Sequence, residues 1–214
     1  MKVSTLVFDL DGTLSDPSEG IVACVNYALE KGGYALRTRA EISAEIGPPL
    51  DLMFGKFIPG ISMDEINRLV MFYRERFGTD GFAENQMYRG MRETIQWLHG
   101  QGFALGVCTS KPEPAARIIL EYFGLLEYME FVSGGDIGIK KQSQLTKLLD
   151  ENVIDNDAVM IGDRGVDLSA AHNNGLRAVA VLWGFGEASE LAAEKPELTL
   201  TEVKQLTRSF EQAS

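Results

Sequence analysis

Five short apolar runs, at residues 3–8, 104–108, 130–133, 158–161 and 177–181, alternate with stretches of helical periodicity at 90–101, 112–123, 140–151 and 167–174. Strands that are apolar along their whole length are buried on both faces, and strands joined through helices lie parallel. The alternation therefore predicts an α/β chain built on a parallel sheet with helices on both sides. Such sheets take their ligands beyond the carboxyl ends of the strands. The polar motifs of this sequence fall just after these runs or on the helix that follows.

The stretch 17–85 breaks the alternation. Ile21, Val22, Val25, Ala28 and Leu29 repeat at helical spacing, and Gly32-Gly33 stops that helix. Ser62 and Glu65 form a capping box ahead of Ile66, Leu69, Val70 and Tyr73. No buried strand is expected there. The chain thus divides into a core of residues 1–16 and 86–214 and a small all-helical insert of residues 17–85, with linkers near 15–18 and 83–88.

Bulk properties narrow the partners. The net charge is −11 and the pI about 4.7, so a nucleic-acid polymer would be repelled over most of the surface. A small phosphorylated substrate remains compatible, because a metal ion and one or two lysines reverse the field locally. Hydrophobic content of 45% and charged content of 24% are ordinary for a globular chain. Cys24 and Cys108 offer neither a disulfide framework nor a metal pair, and Cys108 ends an apolar run as a buried thiol does. No run is long enough to span a membrane, and the start MKVSTLVFDLDG has no signal-peptide stretch. A cytoplasmic enzyme, monomeric or homodimeric, is the expectation.

The first motif, Phe8-Asp9-Leu10-Asp11-Gly12-Thr13-Leu14, follows the first strand. Two carboxylates at a strand end need partners if buried, and a hard cation such as Mg²⁺ supplies one. Gly12 lets the backbone turn tightly. Asp-Gly alone would read as a solvated turn. Val107-Cys108-Thr109-Ser110-Lys111, Lys141 with Leu145 and Leu149, and Ile161-Gly162-Asp163-Arg164-Gly165-Val166-Asp167 follow in order.

These four segments resemble the signatures of the haloacid dehalogenase (HAD) superfamily, DxDGTL, a strand ending in Thr or Ser, a lone lysine, and GDxxxD. The resemblance covers essentially the whole chain. It implies a Rossmann-like parallel-sheet core, with the helical insert resembling the C1-type cap. It also implies an enzyme, a Mg²⁺-dependent phosphatase of small phosphate monoesters working through an aspartyl-phosphate. Asp9 is then the nucleophile and Asp11 the general acid and base. Mg²⁺ binds the Asp9 carboxylate, the Asp11 carbonyl and Asp163, with Asp167 supporting. Thr109, Ser110 and Lys141 bind the phosphoryl group, and the N–H groups of Leu10 and Ser110 complete its cradle. Lys140 is the alternative lysine. Spacing to Leu145 and Leu149 favours Lys141.

Within the insert, Ile46-Gly47-Pro48-Pro49-Leu50 is a stiff loop. A similar Gly-Pro-Pro loop occurs in phosphoglycolate-phosphatase-like and 5′-nucleotidase-like members, as does a return resembling residues 82–90. Gly47, Pro48 and Pro49 are therefore expected to help choose the substrate. Met53, Met63, Met71 and Phe72 are expected mostly to pack cap on core. His99 and His172 read as surface residues. Three rivals remain: a phosphomutase of the β-phosphoglucomutase type, a metal-free dehalogenase and a non-catalytic regulator. The paired aspartates argue against the dehalogenase, and the full acidic set argues against the regulator.

Overall fold

The computed structural model describes residues 3–211. The described residues build a parallel sheet of order β5-β4-β1-β6-β7-β8. Its strands are β1 (Thr5–Phe8), β4 (Ala104–Thr109), β5 (Phe131–Gly134), β6 (Val159–Gly162), β7 (Arg177–Val181) and β8 (Leu198–Leu200). The five strands expected from sequence are present. The edge strand β8 was not expected, because it is three residues long and only Leu200 is buried. β1 lies at the centre, with Phe8 opposite Val107 of β4 and Ile161 of β6.

The strands alternate between two apolar layers. Leu6, Phe8, Leu105, Val107, Val159 and Ile161 join the cluster on one face. Val7, Cys108, Met160, Ala178 and Ala180 join the cluster on the other. This is the period-2 geometry of a strand with both faces covered. Helices α5 (Met91–Gly100), α6 (Glu113–Tyr122), α7 (Lys141–Asp150) and α8 (Gly165–Asn173) connect the strands, and α9 (Ala188–Ala193) and α10 (Gln205–Phe210) follow.

The chain leaves and re-enters this core through β2 (Ser15–Asp16) and β3 (Gln86–Met87), a short antiparallel pair. Between them lie α1 (Ser18–Gly32), α2 (Arg39–Ser43), α3 (Leu50–Phe57), α4 (Met63–Arg76) and a π turn, Phe77–Gly81. Gly33 ends α1 in the left-handed conformation, φ +80°. The Ser62 hydroxyl accepts from the Glu65 N–H at 3.3 Å and starts α4. α4 buries Ile66, Leu69, Val70 and Tyr73. That stripe leaves Met63 and Met71 exposed, so neither packs cap on core as expected. Met53 is buried and Phe72 half-buried. The apolar layer that holds Phe8 also holds Val25, Leu29, Leu69 and Phe77, so helical segment and sheet share one interior.

Candidate active site

Asp9 follows the last residue of β1 and is 2% exposed. Its Oδ1 accepts from the Leu10 N–H at 2.8 Å and lies 3.0 Å from the Lys141 Nζ. The Leu10 N–H is thus engaged by the Asp9 carboxylate itself rather than left free for a phosphoryl oxygen. Gly12, at φ +86°, brings the loop against β6: a Cβ there would sit 2.1 Å from Asp163 Oδ2. Only glycine fits, on both counts. Asp163 follows β6 and is fully buried. It accepts from the Thr13 hydroxyl at 3.1 Å and from the Phe185 N–H at 2.8 Å.

Lys141, the first residue of α7, reaches between Asp9 and Asp167 and bonds both. It is 3% exposed, whereas Lys140 faces solvent. Lys141 shares the buried face of α7 with Gln144, Leu145 and Leu148. Asp167, in the first turn of α8, also accepts the Arg164 N–H at 3.0 Å.

Burial dominates the electrostatics. Loss of water pushes the Asp9 carboxyl up to about 7, against the lowering pull of the Lys141 charge. Asp163 is raised well above the usual carboxylate range by burial, then by Asp167 and Asp9. Burial works against the Lys141 charge, yet Asp167 and Asp9 together raise its pKa above the ordinary lysine value. Asp9, Asp163 and Asp167 each offer an oxygen within 4.8 Å of the others. Three buried carboxylates against one ammonium leave the cluster short of positive charge. The buried Oδ1 of Asp11 also lacks a hydrogen-bond partner. An all-oxygen set with a charge deficit fits a hard divalent cation.

Thr109 ends β4, buried, and its hydroxyl accepts from the Lys111 N–H at 3.2 Å. Gln144 holds that strand end through the Thr109 and Ser133 carbonyls, each at 3.1 Å. The Lys111 Nζ lies 2.8 Å from Asp11 Oδ2 and 4.8 Å from the centre of the Phe77 ring. Asp9, Asp11, Thr109 and Ser110 line a cavity of about 460 Å³ together with Ile46, Gly47, Pro48 and Pro49. The structure therefore brings Asp9, Asp11, Thr109, Ser110 and the loop 46–50 to one cavity.

Arg164, the residue after Asp163, spans to this loop. Its guanidinium donates to the Ile46 carbonyl and is held at Nε by Glu190 Oε1 at 3.1 Å. Gly47, at φ +120°, makes room: a Cβ would lie 2.8 Å from Arg164 Cγ. A second cross-connection joins Arg74 of α4 to Asp136 at 2.6 Å. Sequence reading missed Arg164 and Lys111 as site residues although both stand inside quoted motifs. The Phe185 contribution is a backbone N–H, and only the Gly184-Phe185-Gly186 spacing after β7 hints at it. His99 and His172 are exposed, as expected.

A model of the family described as haloacid dehalogenase-like hydrolase matches residues 6–181. The 5′-nucleotidase of Pseudomonas aeruginosa is 36% identical over 202 residues, 92% of this chain and 90% of that one. Tyrosine-protein kinase PtkA of Mycobacterium tuberculosis is 33% identical over 86% of this chain, which spans 63% of the kinase. Phosphoglycolate phosphatase of Vibrio parahaemolyticus is 26% identical over 95% of this chain and 94% of its own length. The crystal structure of a predicted phosphatase from Clostridium acetobutylicum superposes with a TM-score of 0.92 at 30% identity, covering 99% of this chain and all of that one.

Proposed function

Because this chain belongs to the haloacid dehalogenase-like hydrolase family, we propose that it is a phosphatase that hydrolyses small phosphate monoesters through a phosphorylated Asp9. The observation that carries this reading is the Asp9 carboxylate, fixed at a central strand end by Leu10 N–H and Lys141 and opening on the 460 Å³ cavity. Fixed dipoles and charges of this kind are what phosphoryl transfer needs.

An Asp9 carboxylate oxygen attacks phosphorus while the bond to the leaving oxygen breaks, and Asp11 delivers a proton to that oxygen. Asp11 now contacts Lys111, so the proton transfer requires that contact to be exchanged for the substrate. Asp11 then takes a proton from water, which attacks phosphorus and releases phosphate and the Asp9 carboxylate. Thr109 and Ser110 orient the phosphoryl oxygens, and Lys141 balances the charge at Asp9. A divalent cation, for which Mg²⁺ is our choice, would be held by Asp9, Asp163 and the Asp11 carbonyl, with Asp167 in support, and would neutralise charge on the phosphoryl oxygens. We further read residues 17–85 as a cap, and Gly47-Pro48-Pro49 as its contact with the leaving group.

Among natural substrates, nucleoside 5′-monophosphates and 2-phosphoglycolate are the two classes the relatives' names support. The two free buried cysteines fit a cytoplasmic setting, and no helix of the described residues is long and apolar enough to cross a membrane. The test is release of inorganic phosphate from an aryl phosphate with Mg²⁺. Release that stops in chelator and returns with Mg²⁺ supports the reading. A phosphoryl group retained and re-donated, with no free phosphate, would point to a mutase.

A further inference from the structure

The cavity has two unlike ends. Its floor carries Asp9, Asp11, Thr109 and Ser110, and its walls are apolar: Leu50, Met53, Val70, Tyr73 and Phe77 from the helical segment and Ile118 from α6. Tyr73 and Phe77 stack on each other, ring centres 5.9 Å apart and planes 11° from parallel, and the Lys111 Nζ lies over the Phe77 ring. Two cations line the cavity, and both are engaged. Arg74 pairs with Asp136 at 2.6 Å, and Lys111 pairs with Asp11 at 2.8 Å. The lining includes no Asn, Gln or His. The Tyr73 hydroxyl makes no hydrogen bond to any described residue, although the side chain is 5% exposed.

A small anionic leaving group suits none of this. The carboxylate of 2-phosphoglycolate would have one cation in reach, the Lys111 that Asp11 releases to the substrate, and beyond it apolar walls, where burying a charge unpaired is costly. Most of the cavity would also stay unfilled. A flat, uncharged ring would fill the cavity and cover its apolar walls. We infer that the leaving group is an uncharged ring-bearing alcohol of nucleoside size, and that the cavity grips its ring without reading the ring's hydrogen-bonding edge. This inference rests on the phosphatase reading above and chooses between the substrate classes left open there.

The test compares kcat/KM, with Mg²⁺, for AMP, UMP, ribose 5-phosphate, 2-phosphoglycolate and O-phosphotyrosine. Ribose 5-phosphate presents the same primary phosphate ester without the base. Burying an apolar group of side-chain size is worth about 1.5–3 kcal/mol, so AMP and UMP should exceed ribose 5-phosphate by roughly 10–150-fold. They should lie within about 10-fold of each other, and 2-phosphoglycolate should be poorest. Ile118→Lys adds an uncommitted cation at a half-exposed wall position and should narrow the gap between 2-phosphoglycolate and AMP.

Equal rates for AMP and ribose 5-phosphate, or 2-phosphoglycolate as the best substrate, would overturn the inference. O-Phosphotyrosine above the nucleotides would keep the ring requirement and assign it to an aryl source. Binding of AMP and ribose 5-phosphate to Asp9→Asn by calorimetry reads the cavity without turnover. If no ester releases phosphate but AMP still binds more tightly, the phosphatase reading fails and the ring preference stands. Equal binding overturns the preference.

Discussion

The two ends of the cavity are built on opposite principles. At the core end, Asp9, Asp163, Asp167 and Lys141 are almost fully buried and bonded to one another or to backbone N–H groups. At the other end, Leu50, Met53, Val70, Tyr73 and Phe77 offer shape and little else. Charged groups in a dry site act strongly only when their geometry is fixed, so the core end tolerates little variation. Apolar walls discriminate through area and fit, so the other end can change its preference by repacking. One chemistry can thus be kept while the leaving group it serves is exchanged.

The largest test of this division is Asp9→Asn. The amide is nearly isosteric but a poor nucleophile, so turnover should fall on the order of 10⁴-fold or more for every substrate, with the fold intact. A loss confined to one substrate class would break the division. Asp11→Asn should cost about 10²–10⁴-fold on alkyl phosphates and less on aryl phosphates, whose leaving groups need less protonation. Equal losses on both would remove the acid role from Asp11.

The third test reads stability. Asp9 is raised to about 7 and Asp163 well above the usual carboxylate range, both above the unfolded carboxylate value of about 3.9. Raised carboxylates favour folding below the unfolded pKa, and that advantage is lost as pH rises through the folded pKa. The chelated protein should therefore lose several degrees of Tm between pH 4 and pH 8. Mg²⁺ should restore most of the loss at pH 8 and little at pH 4.5. A Tm rising over that range in chelator would show that the acidic cluster is not strained.

The smallest effect belongs to the join between the two ends. Arg164→Ala removes the bond to the Ile46 carbonyl and the pair with Glu190, which keeps its bond from the Gly165 N–H, while leaving the Arg164 backbone contact to Asp167. Loss of one hydrogen bond to a charged group should raise KM for a nucleoside monophosphate by roughly 10-fold, with kcat little changed. A fall in kcat with KM unchanged would assign Arg164 to the core end instead.

The polar end was the more legible in sequence, because Asp, Thr and Lys at strand ends are costly unless they do chemistry. Asp9, Asp163 and Asp167 come together, and Thr109 lines one cavity with Asp9. Lys140 stands in extended conformation just before α7 and Lys141 opens the helix, where the face it shares with Leu145 distinguishes it. The apolar end could not be read. Val70 and Tyr73 fit helical periodicity whether they line a cavity or fill an interior, and Met63 and Met71 fall off that stripe. The Lys111 contact with Asp11 and the Arg164 reach to Ile46 join residues distant in sequence, which no local spacing encodes. β8 is too short and too exposed at the sheet edge to leave a pattern.

The central place of β1 has a consequence for how the molecule is made. Phe8 is synthesised well before its neighbours Val107 and Ile161. At about 5–20 residues per second, Ile161 is added roughly 8–30 s after Phe8. The strand that carries Asp9 precedes the other five of the sheet, yet it waits for its second flanking partner until β6 is made. The α1–α4 hairpins, whose contacts are local, can form during that interval. A ribosome stalled before residue 159 should hold a chain that is protease-resistant in 18–81 and still cleavable around Phe8.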